Sequence, residues 1–332
     1  MAAIAGSGIS CRAMGMPMSF EKEQRVAEAS ALRDLFREQW FRLLRRVVRH
    51  ERDRRREQQR EADLGTAVEQ IVDGTDSRLR VVGGYQKRLR RSARGLLDHL
   101  EETLATINRV TRVDRGAFAN DPLVGSFFTS QARLHSLISR TAAVYDFMRS
   151  AESREGDHLY TVLMLAHKEK TVFGAAQQGN LIVRDVKQTS VEFHSHRILA
   201  TASSEARIRS ALKQVVFEGV IGHVRAELAK LRHSDASGSR WRATDGVDNP
   251  WTYLQTLERL LSLPRQLIWV QNSLLHIDSM GIVLPPDAVP VGNRLEFDEL
   301  TIGDRPPRIV CIARIPHSEI PEPSRLELPA FL

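Results

Sequence analysis

His194 and His196 are the residues whose types and spacing come nearest to metal chemistry in this chain. Side chains alternate along a strand, so a His-x-His pair turns both imidazoles to one side. That is a usable spacing for a zinc-like ion. No neighbouring Cys, Asp or Glu completes a motif, and a third ligand would have to come from elsewhere, such as His167 or Glu192. The plainer reading, two surface or half-buried histidines, is preferred.

Val82-Gly83-Gly84-Tyr85 runs into Gln86-Lys87, glycines ahead of a lysine. It lacks the GxxxxGK[ST] spacing of a phosphate loop, and no strand pattern precedes it. GxSxG, HExxH and GxGxxG are absent as well. The sequence therefore assigns no catalytic residue, no cofactor and no metal ligand. It favours a non-enzymatic protein.

The strongest interaction signal is FREQWFRLLRRVVRH, Phe36 to His50. Phe36, Trp40, Leu43 and Val47 recur at spacings of three and four, which makes one apolar stripe. With Leu89 and Leu96 of a later segment, they are the residues expected to support self-association. The opposite face is basic. Arg45, Arg46, Arg49, Arg54, Arg55, Arg56, Lys87 and Arg91 are the candidates for binding nucleic acid or another polyanion, with strongly salt-dependent affinity. An anionic membrane surface would suit the same face, but nothing else in the chain supports it.

The elements that carry these residues follow from patterning. Residues 20–62 contain no Pro or Gly and are rich in helix formers, so one long helix is expected. Asp73-Gly74-Thr75-Asp76 is a turn with helix-capping chemistry. A second helix is expected to about residue 108, with Leu79, Val82, Leu89, Ala93, Leu96, Leu100, Leu104 and Ile107 near a heptad pattern. A helical hairpin or a coiled coil would use it. Residues 114–150 read as helical, with a fresh start at Asp121-Pro122.

After the polar stretch 150–157 the pattern changes. Residues 159–174 and 181–194 form strand-like runs around a Gln178-Gly179-Asn180 turn, a β-hairpin. Helices are expected at 204–232 and 251–263, the latter stopped by Pro264. Residues 267–284 are apolar and ambiguous between helix and strand. RLEFDELTI and RIVCIARIP read as two strands joined through Asp304–Pro307.

The totals agree with a folded protein. The 332 residues are 42% hydrophobic and 27% charged, near globular averages. The net charge of +7 is uneven. Residues 32–60 carry 11 Arg against five acids, and residues 76–94 carry seven Lys/Arg against Asp76. Each is +6, which leaves −5 for the remainder by difference from +7. Arginines number 41 and lysines seven, a skew that suits a GC-rich genome as well as function. Cys11 and Cys311 are too few and too far apart for a disulfide framework, and a reducing compartment fits best. No apolar run is long enough for a membrane span, and the first 20 residues do not read as a secretory signal.

IVDGTDSRLR from Ile71, EKTVFG from Glu169 and HIDSMGI from His276 resemble segments of a family of bacterial proteins of unknown function. The three lie far apart, so the resemblance spans most of the chain. It implies a shared fold and lends no activity, cofactor or site.

The expected architecture is α+β: an N-terminal helical hairpin or bundle, then an antiparallel sheet with packed helices. The expected division is a disordered tail at 1–19, an arginine-rich helical region at 20–150, an α+β domain at 151–316 and an extended proline-containing tail at 317–332. The leading functional expectation is a cytoplasmic, non-enzymatic interaction protein, homo-oligomeric or bound to a protein partner through its N-terminal amphipathic helices. The alternatives are nucleic-acid or polyanion binding through the basic helices, and an enzyme of unrecognised type in the C-terminal half.

Overall fold

The computed structural model describes residues 54, 55, 57–178, 181–238, 249–278, 280–284 and 292–320. The chain divides into a unit at 1–63 and a second at 64–332. In the first, residues 54, 55 and 57–63 are helical, and Gln59 Nε2 donates to Asp63 Oδ1 at 2.8 Å. The second contains the described sheet and the helices packed on it.

The sheet has the order β3-β2-β6-β5-β4, with β2 His158–Gln178, β3 Leu181–Ala202, β4 Ile268–Ile277, β5 Asn293–Ile302 and β6 Arg308–Pro316. These five are antiparallel neighbours. A short β1, Val110–Arg112, runs parallel to β6, with Val110 opposite Ile312. The α+β architecture expected from the sequence is present: helices first, then an antiparallel sheet flanked by packed helices. β6 lies in the middle, and its residues from Ile309 to Ala313 are all buried. That explains why RIVCIARIP reads as a continuous apolar run and not as an alternation.

Alternate β6 side chains enter two cores. Val310 and Ile312 join the first, together with α1 (64–75), α2 (Tyr85–Ala105), the long α7 (Glu205–Gly238) and α8 (Pro250–Leu261). Ile71, Leu89, Leu96, Leu100 and Ile208 are at most 0% exposed there. Full burial of each such side chain contributes about 1.5–3 kcal/mol. The near-heptad positions of α2 thus pack within the chain. A seven-residue apolar repeat specifies a buried stripe and leaves its partner open.

Ile309, Cys311 and Ala313 face the second core, under α3 (Arg115–Asn120), α4 (Pro122–Phe127), α5 (Gln131–Arg140) and α6 (Ala142–Arg149). The stretch read as helical at 114–150 is four short helices because capping side chains interrupt it. Asp114 accepts from Ala117 N, Asp121 from Leu123 N and Ser130 from Arg133 N. Each satisfies a backbone donor left open at a helix start.

Candidate metal centre

The apolar stripe of α7 sets the direction of its other faces. Ile208, Leu212, Val216, Val220, Val224 and Leu228 are buried against the sheet. His223 and Glu227 stand four residues apart, and Lys230 three further on, so all three share one face beside that stripe. His223 is buried, Glu227 is half-buried and Lys230 is exposed.

The turn from β5 into β6 meets this face. Gly219 of α7 lies so near β5 that a Cβ there would stand 2.9 Å from Ile302 Cδ1. Gly303 follows, with φ +59°, and its N–H donates to Leu267 O at 2.9 Å. A Cβ at Gly303 would fall 2.0 Å from His223 Nε2. Glycine is therefore required twice over, for the left-handed backbone and for the ring beside it. The next residue, Asp304, then places its carboxylate opposite the helix.

One ligand atom from each of His223, Glu227 and Asp304 can be chosen so that all lie within 4.8 Å of one another. His223 Nδ1 stands 3.6 Å from Asp304 Oδ1. Lys230 Nζ donates to Glu227 Oε1 at 2.6 Å and to Asp304 Oδ2 at 3.1 Å. The hydrogen bond from Lys230, then its charge, holds the Asp304 carboxyl below the usual carboxylate range. In return Glu227, then Asp304, raises the Lys230 ammonium. The two carboxylates already share a cation, and it is the lysine's own.

This set fits a divalent ion by its chemistry. Imidazole nitrogen and carboxylate oxygen both bind zinc, at about 2.0–2.2 Å. Ligand atoms around a tetrahedral ion stand roughly 3.3 Å apart by that geometry. Capture requires the Glu227 and Asp304 side chains to draw inward, and Lys230 to release both carboxylates. Asp304 is exposed and Glu227 half-buried, so neither movement disturbs the core. His223 stays fixed by burial.

The residues singled out from the sequence fall elsewhere. His194 and His196 do not form a ligand pair. Ser195 has φ +57°, and β3 carries an extra residue here, with Arg197 opposite Met164 but His194 opposite Ala166. This bulge shifts the alternation by one. His196 turns towards the second core, stacks on Phe128 at 5.1 Å and donates from Nε2 to Phe127 O at 2.7 Å. His194 Nδ1 lies 2.8 Å from Ser195 Oγ.

Burial holds the His196 imidazole below its ordinary value; the Phe127 carbonyl opposes this, and Arg133 and His194 add to the lowering. His317 is lowered in the same sense, by burial first and then by His158. Both rings are therefore neutral in the folded protein at pH values where the unfolded chain, with an ordinary value of about 6.5, binds protons. Stability is complete above that value and falls as pH drops through it towards the folded values. Urea midpoints measured from pH 7.5 to 5 should decline, and His196→Asn should flatten the decline. An equal slope in both proteins would refute the assignment to His196.

Another polar group joins three strands. Ser273 of β4 donates to Glu299 Oε2 on β5, and His167 Nδ1 on β2 lies 3.3 Å from Glu299 Oε1. The carboxylate stands in the middle. A serine nucleophile needs the histidine there to take its proton, so this order does not activate Ser273.

Of the proposed basic contacts, Arg54, Arg55, Lys87 and Arg91 are exposed. Arg45, Arg46, Arg49 and Arg56 lie outside the described residues, as do Phe36, Trp40, Leu43 and Val47. Leu89 and Leu96 are buried in the first core. His223 and Glu227 drew no notice in the sequence, although their i, i+4 spacing on an expected helix is the signal that could have found them.

No family model, no curated protein and no solved structure matches the chain. Among the described residues, no helix is long and apolar enough to cross a membrane. Two expectations are corrected here: a non-enzymatic protein acting through its N-terminal amphipathic helices, and the preference against an enzyme. The finding that overturns both is the His223–Glu227–Asp304 cluster. A buried imidazole beside two carboxylates is a group able to hold a metal ion, and it favours the alternative of an enzyme in the C-terminal half.

Proposed function

We propose that the protein is a metal-dependent hydrolytic enzyme, with a divalent cation held by His223, Glu227 and Asp304. The observation that carries this reading is the convergence of their ligand atoms to within 4.8 Å. One nitrogen and two carboxylate oxygens suit zinc or manganese. Three protein ligands would leave a coordination position open, and an ion held there would supply Lewis acidity and make a water molecule more acidic.

The chain's own groups divide the remaining work. Buried His223 anchors the set. Glu227 and Asp304 would hold the ion from the solvent side. Lys230, released from both carboxylates, stays beside them as a cation suited to the negative charge that develops on a hydrolysed carbonyl or phosphoryl oxygen.

The test is calorimetric titration of chelator-stripped protein with Zn²⁺ and with Mn²⁺, beside metal-dependent hydrolysis of 4-nitrophenyl acetate and bis(4-nitrophenyl) phosphate. One ion per chain is expected for at least one metal. His223→Ala and the surface variant Asp304→Asn should each weaken it tenfold or more, and hydrolysis should rise with the added metal. No stoichiometric binding of either ion, or binding indifferent to both substitutions, would overturn the reading.

A further inference from the structure

A cleft of about 610 Å³ opens between the α3–α4 corner and the turn that follows β4. This volume lies within the range of small-molecule sites, roughly 300–1,000 Å³. It is on neither α7 nor the β5–β6 turn. We infer that it binds a small organic cation with an apolar body, an alkyl- or arylammonium.

Its charge is the first argument. Asp121 and Asp278 line it, with Asn120 and Asn293. No Lys, Arg or His is among its described lining residues. The chain carries 48 Lys and Arg and a net charge of +7, so a cleft lined only by acids and neutral groups runs against the composition. An anion would enter against two carboxylates, and Arg109, which is paired with Asp121, is not among the lining residues. An ammonium leaving water requires such partners.

Its apolar wall is the second. Half-buried Phe118 lines the same space, with an edge of Phe193, which is 4% exposed. Phe193 is held edge-on to Phe127, with centroids 5.1 Å apart, so its place does not depend on a ligand. Aromatic surface takes the hydrocarbon part of a ligand and attracts a cation over its face.

The carboxylates are also fixed in place. Asp121 Oδ1 accepts from Leu123 N at 2.9 Å. Asp278 Oδ1 accepts from Met280 N and Ile282 N, each at 2.8 Å. Gly281, with φ +80°, makes that turn possible. This is the HIDSMGI segment, which the metal centre does not use. Asp121 Oδ2 also lies 3.6 Å from Arg109. That contact is long and the arginine half-exposed, so solvent weakens it and leaves Asp121 available to a ligand.

The experiment is calorimetric titration of the full chain with 2-phenylethylammonium, 2-phenylethanol and phenylacetate, which carry the same ring with charges +1, 0 and −1. The ammonium should bind saturably and at least tenfold more tightly than the alcohol, and phenylacetate should not bind. Asp121→Asn and Asp278→Asn keep an oxygen for the cap and the turn but remove the charge. Each should weaken the ammonium fivefold or more and leave the alcohol unchanged, whereas His223→Ala should alter neither. Absence of saturable ammonium binding at millimolar concentration, equal binding of ammonium and alcohol, preference for phenylacetate, or unchanged ammonium binding in the double Asp→Asn variant would each overturn the inference. None of these results bears on the metal titration, so the two readings fail separately.

Discussion

Gly303→Ala is expected to lower the unfolding free energy by about 3 kcal/mol, read as a shift in the urea midpoint at constant slope. Two costs combine. A residue with a Cβ at φ +59° loses roughly 1–2 kcal/mol to left-handed backbone. The added methyl would also stand 2.0 Å from His223 Nε2 and 2.1 Å from Cε1, where real Cβ atoms do not sit. Overpacking of this kind costs about 1–3 kcal/mol. The two parts are separable. In a His223→Ala background the collision disappears, so the same substitution should then cost only about 1 kcal/mol, the backbone share. An equal cost in both backgrounds would mean that the turn does not lie against the ring. Zinc affinity should fall with the single substitution too, because moving the imidazole displaces the one buried ligand.

Phe127→Ala should cost about 3–5 kcal/mol, the range for truncating a buried aromatic. Phe127 is 2% exposed and sits where α4, β3 and β5 meet. Its ring is edge-on to Phe193 at 5.1 Å and to Phe297 at 6.3 Å, favourable geometries that add to area burial. Its carbonyl also accepts from His196, so loss of the ring loosens the floor under that histidine. Phe127→Leu retains most of the volume and should cost clearly less. A Leu variant as unstable as the Ala variant would assign the energy to the ring contacts and not to the cavity. Because Phe193 also walls the acidic cleft, the Ala variant should weaken 2-phenylethylammonium binding, with metal binding at His223 preserved.

Local patterning carried the elements a long way. The strands at 294–302 and 308–316 appear close to their expected limits, and the hairpin around Gln178 and the helix after Ser204 appear but run further, β3 to Ala202 and α7 to Gly238. The second hairpin strand and the helix carry a clear period, 308–316 a continuous apolar run, and turn or capping residues mark where the elements begin or end. The segment 267–284 resisted because its apolar residues come in clusters, Leu267–Val270, Leu274–Leu275 and Ile282–Leu284, that match neither period. It forms β4, whose first residue is buried and whose neighbours alternate only loosely. β1 was missed altogether. Three residues carry no period, and Val110–Arg112 is a strand only because β6 lies beside it.

Alternation along a strand is reliable only where the pairing has no extra residue. His194 and His196 show the exception, since the left-handed Ser195 adds a residue to the strand and His196 turns to the Phe127 carbonyl. A positive φ at serine has no signature in a single sequence.

The candidate metal centre divides along the same line. Its helical half is present in the order of residues, because four positions make about one turn of helix and bring His223 and Glu227 to one face. The acidic half is not. Asp304 stands 74 residues beyond Lys230, in a turn whose sequence, Gly303-Asp304-Arg305-Pro306, resembles any other polar connection. What brings it to α7 is the burial of Val220 and Val224 against the sheet, the antiparallel register of β5 with β6, and a glycine small enough to pass the histidine ring. Short-range spacing and composition specify helices, strands and their buried faces. Which faces meet depends on contacts between distant segments, and those contacts decide that a buried histidine, two carboxylates and a lysine become one site.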